Sequence, residues 1–285
     1  MEKTNGYTSD YFEGTQPYAI SVGGLYLVIV RDPEDIATVW KDTKALTFDK
    51  FIQSAFRGIG VPSTSYAIMF QEDPASFVVS KDRPAPLFAC ENPSKKRYID
   101  LQEDWIKEQL QPGERMRTVQ KLFLGYIDKG LHWNNFTSKF VLSANAENHT
   151  ISLYNFCRYT LVDAGTKTFL GEEIFHLDPD FVQHYIEWEN TSWKVAFQHP
   201  GIFSKDMHKT RKNLVDVIAR YYSLQPCQRP GLSWLFDRMQ SEQRKLGLKL
   251  NETAAISLIM LWGYVENTSP PGISLLVVCS RLMDQ

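Results

Sequence analysis

Apolar residues recur at three- and four-residue spacing along most of the chain, and at two-residue alternation only near its start. The pattern predicts a mainly α protein with a small β-sheet near the N-terminus. Ala19 to Gly23 and Leu25 to Val30 read as two short strands joined at Gly23-Gly24, a hairpin. Asp32-Pro33-Glu34-Asp35 then supplies a capping carboxylate, a proline suited to a first turn and two acids at the positive end of the helix dipole, so a helix runs on through Ile36, Val39 and Trp40. Between Thr47 and Asn92 prolines and glycines interrupt the periodicity while aromatics stay frequent, which predicts a long, partly helical excursion.

Helical spacing returns over 94–110, breaks at Pro112-Gly113 and resumes from Glu114 to Leu131, with Arg117 and Lys121 one turn apart. Phe140 to Leu142 and Thr150 to Ile151 are strand or turn. A helix is predicted from Ser152 to Leu170, with Gly165 admitting a close neighbour and Gly171 at the C-cap. Asp178-Pro179-Asp180 opens the next, toward Phe197. Ser204 to Leu224 and Ser233 to Lys245 follow, separated by a proline-containing linker over 225–231. The last helix is the segment Asn251 to Thr268, NETAAISLIMLWGYVENT, with Asn251 read as its cap.

That last helix organises the functional reading. At about 100° of turn per residue, Ile259, Gly263, Glu266 and Asn267 share one side, with Trp262 at its margin. A core helix whose terminal polar groups are bonded for structural reasons accounts for this pattern. Alternatively, Gly263 leaves room for a flat cofactor or small ligand against the backbone, and Glu266 and Asn267 supply proton transfer and an oriented hydrogen bond beside it.

The 285 residues are 43% hydrophobic and carry a net charge of −2, so a large core is available and no electrostatic footprint for nucleic acid exists. Cys90, Cys157, Cys227 and Cys279 are far apart and without zinc or disulfide spacing. The first residues contain no apolar signal region, so no amino-terminal anchor is expected, and the N-x-[ST] sequons at Asn135, Asn148, Asn190, Asn251 and Asn267 are read as chance matches. The apolar run from Ala254 to Val265 is broken by Glu266, Asn267 and Pro270-Pro271, too short for the roughly 20 residues of a membrane crossing. Dinucleotide, Walker, zinc-hydrolase and nucleophile-elbow strings are missing, and the histidines, His184 among them, are scattered.

Taken in order, several strings resemble the amino-terminal half of a cytochrome P450, a haem-thiolate monooxygenase. The hairpin with VRDPEDIATVWKD resembles that family's first sheet and B helix; LYNFCRYTLVDAGTKTFLGEEIF resembles its E helix, DPDFVQHYIEWENTSW its F helix, and Leu258 to Pro270 its central I helix. The wording around Trp262, Glu266 and Asn267 is most similar to the sterol 7α-hydroxylase and prostacyclin-synthase-like branch, which includes fungal biosynthetic members. The resemblance implies one partial P450 domain ending just after the I helix: sheet and B helix over 17–45, C to H helices over 94–248, I helix over 251–268. It implies Gly263 as the small residue over the haem face, Glu266 as the acid of the proton-delivery pair, Asn267 in place of the usual threonine, and Arg117 and Lys121 as basic partners of the haem propionates. Aromatics between Phe48 and Phe88 would line a substrate-recognition region.

The departures are equally specific. No F-x-x-G-x-x-x-C-x-G loop surrounds any cysteine, Trp105 is followed by Gln109 rather than the family's arginine, and Glu114-Arg115-Met116-Arg117 stands in the wrong place for the family's E-x-x-R. The expectation is therefore a truncated monooxygenase whose parent oxidises a terpenoid, sterol or polyketide in secondary metabolism with electrons from a reductase, on the cytoplasmic side of the endoplasmic reticulum. Haem belongs to the whole family fold and is not expected to be held stably here; no metal site, nucleic-acid partner or anchor is expected. A haem-free interaction or ligand-binding module is the alternative.

Overall fold

The computed structural model describes residues 16–22, 25–42, 47, 49–71, 92, 95–145, 148–196 and 201–267. The chain divides into two units, Met1–Phe51 and Ile52–Gln285. In the first, β1 (Tyr18–Val22) and β2 (Leu25–Ile29) pair antiparallel with Val22 opposite Leu25, the register that a two-residue connection imposes. Helix α1 (Pro33–Lys41) starts as the sequence predicts: the Asp32 carboxylate accepts from the backbone N–H of Glu34 at 2.8 Å and Asp35 at 3.4 Å. A carboxylate there also faces the positive end of the dipole.

The second unit is helical apart from one hairpin. Helices α2 (Asp49–Gly58) and α3 (Ser63–Met69) occupy the described part of the aromatic-rich excursion, of which 72–91 lie outside the described residues. Then come α4 (Tyr98–Leu110), α5 (Glu114–Leu131), the antiparallel pair β3 (Val141–Ala144) and β4 (His149–Ile151), α6 (Leu153–Leu170), α7 (Ile174–Leu177), α8 (Phe181–Ala196), α9 (Lys205–Ser223), α10 (Trp234–Lys245) and α11 (Leu250–Asn267). The protein is mainly α with a small sheet near its N-terminus, as the spacing predicts.

Helix α11 is the packing centre, lying against α9, α6 and α10, while α8 packs on α9 and α6. Its contact with α6 is close because Gly165 has no side chain: a Cβ there would stand 2.7 Å from Val265 Cγ2. Gly171 ends α6 with φ +83°, a left-handed conformation that L side chains rarely adopt, and its backbone touches that of Gly231. The Ser233 amide donates to the Phe169 carbonyl at 2.9 Å, so the loop before α10 is fastened to the end of α6.

Two helix starts differ from expectation. Helix α4 begins at Tyr98, with residues 95–97 outside it, because the Asn92 side chain accepts from the Lys96 amide at 2.9 Å and donates to the Lys96 carbonyl at 2.8 Å; Ser94, the expected start, lies outside the described residues. Asn251 is not the cap of α11. The helix already includes Leu250, and the Glu252 carboxylate reaches back to accept from the Lys249 amide at 2.8 Å, the glutamate arm of a capping box.

Candidate functional site

Helix α11 changes character along its length. From Glu252 to Leu258 every residue is buried, Ala254, Ile256 and Leu258 completely. After that turn one side stays closed at Leu261 and Val265, and Ile259, Met260, Trp262, Gly263 and Tyr264 are only partly covered. Among the described residues, no atom lies within 4 Å of where a Gly263 Cβ would stand. Of the side read from the sequence, Ile259 and Gly263 are partly covered, as is Trp262 at its margin, while the side chains of Glu266 and Asn267 lie outside the described residues.

Aromatic rings flank this stretch. Trp188 from α8 meets Trp262 edge to face, centroids 6.2 Å apart; Phe169 from α6 stacks on Tyr264 at 5.1 Å, and Phe236 from α10 adds an edge contact to Tyr264 at 6.2 Å. Burial pushes the Tyr264 phenol well above its ordinary range, so it stays a neutral hydroxyl. Two polar ties fix the helix. The Tyr222 hydroxyl on α9 donates to Ser257 Oγ at 2.8 Å, and Gln102 Nε2 on α4 donates to the Met260 sulfur at 3.3 Å. Helix α8 is clamped to α6 by Arg158, whose Nε reaches Glu189 Oε2 at 2.7 Å and whose Nη2 reaches the Ile186 carbonyl at 3.3 Å. Burial raises the Glu189 carboxyl pKa, against the pull of the guanidinium.

Of the residues singled out from the sequence, Gly263 lies on the open side of α11. Glu266 and Asn267 belong to the last turn of the same helix, but their side chains lie outside the described residues. Arg117 and Lys121 are on α5, both exposed; Arg117 Nε donates to the Gly113 carbonyl at 3.4 Å, and α5 packs chiefly along α6. It is α4 that reaches α11 through Gln102 and presents its buried Tyr98, Trp105 and Gln109 to the interior, and α4 also packs on α10. Sequence reasoning passed over Gln102 because an amide at a core position reads as surface. The aromatic pairing of Trp188 with Trp262 is a tertiary fact without a local signal.

Haem can be weighed against these side chains. An open glycine on an otherwise sealed helix, with flanking aromatic walls, fits one face of a flat ring. Among the described residues no cysteine suits an axial thiolate: Cys227 is exposed in the turn Pro226–Gln228, and Cys157 sits eight residues before Gly165 on α6, roughly 12 Å along the helix axis from the residue that meets α11. Among the described residues no group of three or more His, Cys, Asp or Glu side chains could hold a metal ion, and no helix is long and apolar enough to cross a membrane. No family model and no curated protein matches the chain.

Proposed function

We propose that this chain provides the ligand-facing helical half of a haem-thiolate monooxygenase of the cytochrome P450 type, acting on a lipophilic small molecule, and that α11 is the helix laid across the cofactor. The observation that carries the reading is the change along α11, sealed through Leu258 and then only partly covered at Ile259, Trp262 and Gly263, with no described residue within 4 Å of a Gly263 Cβ position. In this reading Gly263 admits a flat ring to the backbone, Trp262 and Trp188 form an apolar wall, and the family resemblance gives Glu266, in the last turn of α11, the role of the acid. No cysteine among the described residues suits the axial position, so no oxidation step is assigned to these residues.

Hemin titration of the 285-residue chain tests this. Saturable quenching of tryptophan fluorescence is expected, lost in Gly263→Phe, with no thiolate Soret band after reduction under carbon monoxide. Absence of saturable quenching sensitive to Gly263 sinks the reading; a thiolate band refutes the assignment of no ligand cysteine. The same aromatic-flanked side of α11 suits a lipophilic molecule other than haem, a second reading as a haem-free binding module. A lipophilic ligand that raises the melting temperature while hemin does nothing selects that reading.

A further inference from the structure

Helix α5 lies along α6 and also touches α4, yet none of its 18 residues is buried. Met116, Val119, Phe123, Tyr126 and Gly130 are partly covered and fall at helical spacing, so they mark the side turned to those neighbours. The side turned away carries a second stripe. Arg117, Lys121, Leu124 and Asp128 are all exposed, and their steps of four, three and four residues keep them on one line of the helix surface. Leu124 is 53% exposed in the middle of it.

The charges on this stripe have little to hold within the chain. Arg117 Nε donates to the Gly113 carbonyl at a long 3.4 Å, and Lys121 makes no ion pair among the described residues. Asp128 has His132 Nε2 at 3.8 Å, beyond hydrogen-bond reach, and both groups are exposed. Arg117 and Lys121 stand one turn apart, a spacing at which like charges repel. A step pattern of four, three and four reads the same in both directions. Two copies of α5 laid antiparallel thus set Arg117 against Asp128 of the second copy, and the Lys121 stem against the second copy's Leu124, each pairing made twice. The guanidinium then gains the carboxylate it lacks, the Lys121 stem covers the exposed leucine, and its ammonium reaches toward Asp128 one turn on. The helix dipoles also oppose one another, which adds to the charge match.

We propose that the outer stripe of α5 is the contact surface of a two-fold symmetric dimer of this chain. A contact between two 18-residue helices falls under the ~1,200 Å² of stable interfaces, so the dimer is weak and exchanges with monomer. It does not rest on the haem reading, since it uses no residue of α11. Sedimentation equilibrium of the full chain is run from about 5 to 500 µM in low salt. The apparent mass is expected to rise from that of one 32.9 kDa chain toward twice it, with a Kd of roughly 10–100 µM, and to stop there because a two-fold contact closes. Raising the salt to about 0.5 M should weaken the dimer several-fold. Arg117→Glu and Asp128→Arg should each weaken it about tenfold or more, and the two together should recover it to within about threefold of wild type. The stripe is exposed, so each variant should melt as the dilute wild type does. A chain that stays monomeric throughout overturns the proposal. So does a dimer indifferent to both single changes, or a charge swap that recovers nothing.

Discussion

Helices α5 and α11 each span 18 residues and each carried residues that the sequence nominated for a cofactor, yet the fold treats them oppositely. Helix α5 lies along α6 and buries no residue, so Leu124 remains 53% exposed and Arg117 and Lys121 stay in water. Helix α11 is surrounded by α6, α9 and α10 and seals its first half completely. The difference teaches that a helix packed chiefly on one side buries little whatever its composition, whereas α11 is enclosed through its first half and, among the described residues, only partly covered beyond it. Gly263 gains meaning from its sealed surroundings; Arg117 and Lys121 have none to draw on.

The largest effect that should separate the two helices is core truncation. Leu261→Ala on α11 should cost about 2–5 kcal/mol, while Leu124→Ala on α5 should stay within about 0.5 kcal/mol, both read from urea unfolding midpoints. Equal losses would break the contrast. Next comes the close approach of α6 to α11. Gly165→Ala places a methyl 2.7 Å from Val265 Cγ2 and should cost about 1–3 kcal/mol by overpacking. In a Val265→Ala background the same change should become neutral or favourable, since alanine is the better helix former by about 1 kcal/mol. A double-mutant cycle with no coupling would show that the helices do not meet there.

The sequence made the helices legible wherever local chemistry sets them. The Asp32 cap, the Pro112-Gly113 break, the close-packing role of Gly165 and the left-handed stop at Gly171 are all decided within a few residues or by the absence of a side chain. Boundaries failed where a side chain reached back across the start of a helix, as Asn92 does before α4 and Glu252 does at α11. Of the candidate site, the shared side of Ile259 and Gly263, with Trp262 at its margin, was readable from the helical wheel alone. The partnership of α4 rather than α5 with α11 was not, because Gln102 and Met260 are far apart in sequence and an amide-to-sulfur contact has no pattern to announce it.

A smaller effect should come from the tie between α9 and α11. Tyr222→Phe leaves Ser257 Oγ buried without its donor and should cost about 1–2 kcal/mol, and adding Ser257→Ala should recover part of the loss. Smaller again is a pH effect at the first turn of α4, where the Arg97 side chain donates to both Asp100 oxygens, at 2.9 and 2.7 Å, and holds the carboxyl below its ordinary range. A depressed folded pKa means that this stabilisation is present above the unfolded value of about 4 and is lost as pH falls through the folded one. The pair is partly exposed, so no more than about 1 kcal/mol is at stake. Arg97→Gln should flatten the acid limb of the stability curve by that amount, and an unchanged limb would remove the pair from the ledger.

The smallest expected effect is the sharpest check on α5. Arg117→Ala with Lys121→Ala should shift stability by less than about 0.5 kcal/mol, because both side chains are solvated and neither ends a buried network. The same double variant should leave hemin quenching as it is in the wild type, since α5 packs along α6 and the open glycine lies on α11. If the pair instead weakens hemin binding several-fold at unchanged stability, the propionate role implied by the family resemblance is restored to α5, and the division between a solvated cover helix and a ligand-facing one has been drawn in the wrong place.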